Sequence, residues 1–109
     1  MTTRNILHRE TQQSITEWAR ETFGTPPHTM TLFDRMTEEL KELRWELVKH
    51  TSDIGSKRSV GRELADVQIF LLQIAETLGI DLFSEVDDKM EVNRKREWNV
   101  NGDGTGQHK

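Results

Sequence analysis

Cysteine is absent from the 109 residues. Disulfides, thiolate metal sites and a cysteine nucleophile are thereby excluded, while the redox compartment stays open. No apolar run approaches the roughly 18 to 20 residues of a membrane span, and the opening Met1-Thr-Thr-Arg-Asn lacks the apolar stretch of a secretory signal. The expectation is a soluble cytoplasmic protein with no membrane partner. Positive charge is also short: Lys and Arg number 15 against 19 Asp and Glu, a formal net charge of -4. Binding to a nucleic-acid backbone is driven by Lys and Arg releasing counterions, so no nucleic-acid partner is expected. An acidic protein can still take a single polyphosphate through metal. Hydrophobic residues make up only 33% of the chain. A monomer of this size buries little, and assembly with further copies would add burial.

No alternating apolar period marks a strand, no internal repeat is visible, and four helical segments are separated by short breakers. An all-α fold follows. The first helix is expected from Thr11 to Thr22, stopped by Phe23-Gly24 and by Pro26-Pro27, with Ile15, Trp18 and Ala19 as its short apolar face. The second is expected from Thr31 to His50, where Leu32, Met36, Leu40, Leu43 and Leu47 recur as a core stripe. The third runs from Ser59 to Leu78 and carries two apolar faces: Leu64, Val67, Leu71, Ile74 and Leu78 on one side, Ala65, Ile69 and Leu72 on the other. A helix apolar on two sides is buried on two sides. The second of these faces is expected to meet another subunit. Gly79 and an Asp81 N-cap lead into a fourth helix from Leu82 to Trp98. The domain is thus expected to cover residues 1–98, and 99–109, with Asn101-Gly-Asp-Gly-Thr-Gly, to be a mobile tail.

Two acidic pairs carry the chemistry: Glu39-Leu-Lys-Glu42, preceded by Glu38, and Glu63-Leu-Ala-Asp66. Carboxylates three apart project from one helical face. If the two helices are antiparallel neighbours, four carboxylates converge, and that charge is stable only when hard cations neutralise it. On its own, Glu39 with Glu42 reads as a solvated charged face. Glu63 and Asp66 weigh against that, because they belong to the most apolar helix, where uncompensated charge is expensive. A di-iron bundle would need two Glu-x-x-His pairs, and none occurs: Glu46 precedes His50 by four, and His8, His28 and His108 fall in turns or termini. All-oxygen ligation favours Mg2+ or Mn2+. Lys89, Asn93 and Arg96 share a face of the fourth helix, which is either plain solvated surface or, if it faces the acids, a phosphate-binding row. Trp18 is the best base-stacking candidate among aromatics that are otherwise core residues, since its helix has little else to bury.

These motifs resemble the MazG-like all-α nucleoside triphosphate pyrophosphohydrolases, whose signature is Glu-Glu-x-x-Glu, a spacer, then Glu-x-x-Asp. Glu38, Glu39, Glu42, Glu63 and Asp66 fill every acidic position, and Lys89-Met-Glu-Val-Asn93-Arg-Lys-Arg96-Glu-Trp98 looks like the family's downstream basic element. Trp18-Ala-Arg-Glu-Thr-Phe23-Gly24 is similar to a subgroup, frequent in phages, that acts on dATP and dGTP. Ala65 stands where many relatives have glycine. The resemblance covers Ile15 to Trp98. It implies a four-helix bundle assembled as a homo-oligomer, a dimer or a tetramer, working in the host cytoplasm if phage-encoded. The implied reaction is metal-dependent hydrolysis of a nucleoside triphosphate, dGTP or dATP in that subgroup, to monophosphate and pyrophosphate. The implied roles are two or more Mg2+ or Mn2+ ions held by Glu39, Glu42, Glu63 and Asp66, Glu38 with Glu39 as catalytic carboxylates and Glu38 the base, Lys89, Asn93 and Arg96 on phosphate or sugar oxygens, and Trp18 on the base. Two alternatives remain: a pyrimidine nucleotide pyrophosphatase acting on dUTP or dCTP, and a non-catalytic helical interaction module.

Overall fold

The computed structural model describes residues 9–109; His8 lies outside them. Four helices form, α1 Gln12–Phe23, α2 Thr29–Thr51, α3 Lys57–Thr77 and α4 Leu82–Lys95, followed by a two-stranded antiparallel hairpin of β1 Trp98–Val100 and β2 Gly106–His108. Each start has a local cause. Thr11 and Ser14 close a capping box on α1, Ser56 accepts from the Ser59 amide to begin α3, and Asp81 accepts from the Ser84 amide to begin α4. Gly24, at φ 88, ends α1 in backbone space that L side chains rarely adopt.

The central element is α3, against which both α1 and α2 pack. Ala19 of α1, Leu32 and Met36 of α2, and Leu72 and Ala75 of α3 form the buried apolar centre, joined by the polar Thr16 and Gln73. Gln12 latches the start of α1 to the far corner: its Nε2 donates to the Ile80 carbonyl at 2.7 Å and to Glu76 Oε1 at 3.3 Å, and its Oε1 accepts from the Leu82 amide at 2.7 Å. From that corner α4 leaves α3 at 98°.

Four expectations need correction. Within one chain α4 does not bundle with the other helices; it projects as an arm, and its Phe83 and Val86 are exposed. The two faces of α3 divide differently from expected: Leu72 is buried in the core and Ile69 half-buried while Ala65 is exposed, and on the other face Leu64, Leu71 and Leu78 face outward with Val67 and Ile74 half-buried. The α2 stripe buries Leu32 and Met36 but opens from Leu40 to Leu47, because α1 and the arm leave that half of the helix uncovered. The segment after Trp98 is also ordered differently from a mobile tail. Val100 pairs with Gly106 and Trp98 with His108, while the Asn101 amide donates to the Thr105 carbonyl at 2.8 Å across the turn. A Cβ at Gly106 would come within 2.8 Å of the Asn99 carbonyl oxygen, so the pairing requires glycine there. Among the described residues no single helix is long and apolar enough to cross a membrane.

Candidate functional site

Antiparallel packing of α2 on α3 brings the acidic pairs together. Glu39, Glu63 and Asp66 each offer a carboxylate oxygen within 4.8 Å of the others. Glu63 is the most constrained. Its Oε2 is enclosed and has no hydrogen-bond partner among the described residues. Loss of hydration raises the Glu63 pKa above the ordinary 4.5, and the charges of Asp66, Glu39 and Glu42 and a hydrogen bond with Glu39 push it further the same way. An enclosed carboxylate oxygen without a donor, facing two more carboxylates, fits a divalent cation with oxygen ligands. Glu42 is close enough to act on Glu63 by charge but is exposed at the rim.

Glu38 is not brought to this group. Helical geometry turns it away from Glu63, and its carboxylate pairs with Lys41 at 3.5 Å on the solvent side. Lys89, Asn93 and Arg96 are not brought there either, because the arm carries them off the three-helix unit. Asn93 Oδ1 is buried without a partner among the described residues, and its backbone carbonyl accepts from Trp98 Nε1 at 2.9 Å.

From the acids a cleft of about 630 Å³ runs between α1, α2 and α3, reaching from Glu39 and Asp66 past Ile69 and Phe70 to Gln73 and Thr77. Trp18 and Phe23 stand at its α1 wall, edge to face with ring centroids 5.5 Å apart, and Trp18 is 56% exposed. A flat apolar body can enter beside them. Arg35, one helical turn before Glu39, lines the same cleft with its guanidinium 3.7 Å from the Glu39 carboxylate and 6.0 Å from the centre of the Phe70 ring. Arg20 reaches Thr77 Oγ1 at 3.4 Å on another wall. Arg35 and Gln73 were not singled out from sequence. The available signal was spacing: Arg35 falls four residues before Glu39, and Gln73 seven after Asp66, so each continues the acidic face along its own helix.

A family model described as MazG-like matches residues 32–108. The chain belongs to the MazG-like family. This MazG-like chain is 38% identical over 99 residues to a dATP/dGTP diphosphohydrolase of Salmonella phage PMBT28, a stretch that is 91% of this chain and 30% of that relative. It therefore spans under a third of that protein's length. Among solved structures it is similar to a cyanophage S-2L MazG-like pyrophosphohydrolase bound to dGDP and three catalytic Mn2+ ions per active site. That match has a TM-score of 0.68 at 28% identity and covers 90% of this chain and 92% of the other.

Proposed function

We propose that this MazG-like chain hydrolyses purine deoxynucleoside triphosphates, dGTP and dATP, to the monophosphate and pyrophosphate, using Mg2+ or Mn2+. The observation that carries the reading is the convergence of Glu39, Glu63 and Asp66 at one end of a nucleoside-sized cleft. The phage relative's dATP/dGTP activity and the cyanophage structure's dGDP and Mn2+ support it. Glu39, Glu63 and Asp66 would hold the cations, with Glu42 at the rim beside them; bound there, the ions would neutralise the triphosphate and lower the pKa of a water. Water adds to the α phosphorus, the bond to the bridging oxygen of the β phosphate breaks, and pyrophosphate leaves with that oxygen. Glu38 faces away, so Glu42, at the rim and without an ion pair among the described residues, takes its place as acceptor of the water's proton. Arg35 draws a phosphate oxygen toward the Glu39 end, and Trp18 stacks on the base.

The working form is a homo-oligomer, dimer or tetramer, in which one protomer's arm lies across the uncovered leucines of another. That arrangement carries Lys89, Asn93 and Arg96 to the phosphates of a neighbouring cleft. The setting is the cytoplasm, that of the host if the chain is phage-encoded. The test is product identification with equimolar dGTP, dATP, dCTP, dTTP and dUTP. Pyrophosphate and purine monophosphates are expected, abolished by chelator and by Asp66→Asn. Stepwise orthophosphate release would refute the reaction, and faster turnover of any pyrimidine would favour dUTP or dCTP as substrate.

A further inference from the structure

Gln73 lies seven residues beyond Asp66 on α3, on nearly the same helical face and about 10 Å farther along the axis. Both line the cleft, with the carboxylates at one end and Gln73 toward the other, one turn before Thr77, and Ile69 and Phe70 between them. Gln73 is only 7% exposed, and its backbone carbonyl already accepts from Thr77 Oγ1 at 2.8 Å. Its side-chain amide makes no hydrogen bond among the described residues and is not sealed off, so it is free to meet a molecule in the cleft. Thr16, lining the cleft from α1 and 3% exposed, has a buried Oγ1 without a partner among the described residues. An enclosed hydroxyl left unpaired is costly, and Thr16 Oγ1, together with the amide of the largely buried Gln73 lining the same cleft, marks groups to which a ligand would supply partners.

Resting on the reading of this cleft as a deoxynucleoside site, we propose that Gln73 is its base-reading residue, taking the Watson–Crick edge of either guanine or adenine by turning its carboxamide over. The carboxamide presents one donor and one acceptor side by side. Guanine offers an acceptor at O6 beside a donor at N1, and adenine the reverse, a donor at N6 beside an acceptor at N1. A half-turn about the last side-chain bond exchanges the amide's nitrogen and oxygen, so one residue meets both purines equally well. Pyrimidines carry the same two patterns on a base one ring shorter. Anchored by their phosphates at the acids, they stop short of Gln73. Cleft length therefore selects purines, and the turnable amide leaves guanine and adenine undistinguished.

The experiment is competition between dGTP and dATP in the full chain with Mn2+, following dGMP and dAMP. In Gln73→Glu the carboxylate only accepts: it meets the N1 and N2 protons of guanine together but sets a lone pair against adenine N1. The dGTP to dATP ratio of kcat/KM should rise at least about tenfold over the unmodified protein. Gln73→Met keeps the length without hydrogen bonding and should lower kcat/KM for both purines together by about 10- to 100-fold, through KM more than kcat. A destabilised fold would lower both substrates' rates without moving their ratio. An unchanged ratio in Gln73→Glu, or purine kinetics within twofold of the unmodified protein in Gln73→Met, overturns the assignment to Gln73. If the unmodified protein turns over no purine deoxynucleotide, the nucleoside reading of the cleft fails, and Gln73 with it.

Discussion

Glu63 concentrates the energetics of the site in one side chain. Enclosure and three neighbouring acids raise its pKa above 4.5, so between that value and the raised one the folded chain holds a proton that the unfolded chain has lost. Stability of the metal-free protein must then fall as pH rises through that interval. A cation bound only by the folded state acts in the opposite sense, because deprotonation creates its ligands. The melting temperature in chelator should decline from pH 4.5 upward, the decline should reverse in excess Mn2+, and Glu63→Gln should flatten both responses. Circular dichroism melts across the acid range check this, and a chelated protein growing more stable as pH rises there would contradict the account. Trp18 is tested separately. If it stacks on the base, Trp18→Ala should raise KM by an amount equivalent to about 1–3 kcal/mol while kcat changes less; an unchanged KM would remove Trp18 from the site.

Helices are where the sequence was most legible, because their ends are written in local chemistry. Asp81 caps α4 as expected and Gly24 stops α1, since a side-chain acceptor and a positive φ act within one turn. The start of α2 was read two residues late: His28 is extended and provides no side-chain cap, leaving no polar signal to read. The end of α4 was read late because Arg96 turns extended, at φ -80 and ψ 154, to enter the hairpin. The hairpin itself had a signal in Asn101-Gly102, a common hairpin turn, but three glycines and little apolar character made the segment resemble a tail. The convergence of Glu39, Glu63 and Asp66 was legible from their spacing on two neighbouring helices, and the family resemblance added the metal reading. Thr16 and Gln73 were not legible, because burial is a property of packing, and Arg35 joins the cleft only through its place beside Glu39 and Phe70. Gln12, too, gains its role from packing, as the latch between α1 and the α3–α4 corner. Gln12→Ala should lower stability by about 1–2 kcal/mol in urea denaturation with helicity nearly intact; no change in the midpoint would show that the arm needs no latch.

The molecule as a whole is too open for its length. Its radius of gyration is 16.9 Å, against about 13 Å for a compact chain of this size. The excess comes from the arm, and apolar residues follow the same geometry: Leu40 and Leu47 on α2, Leu64, Leu71 and Leu78 on α3, and Phe83 and Val86 on α4 are all exposed. Scattered exposed leucines are ordinary, but rows of them on three helices are apolar surface that contact with a second copy would cover. Ile69 faces the cleft, so a charge there would damage the site, whereas Leu71→Asp should dissociate the oligomer and leave the helices formed. Light scattering after size exclusion checks this, and a monomeric mass for the unmodified protein at micromolar concentration would remove the assembly. If arms act between protomers, the acids and the basic row of one working site come from different chains. Mixing inactive Glu63→Gln with inactive Arg96→Ala, with subunit exchange allowed, should then regenerate hybrid sites with intact acids on one chain and an intact arm on the other. Recovery of about a quarter of the activity is the statistical expectation for a freely exchanged dimer. No recovery despite demonstrated exchange would mean that each arm serves its own chain, and the 98° departure of α4 would have to close before turnover.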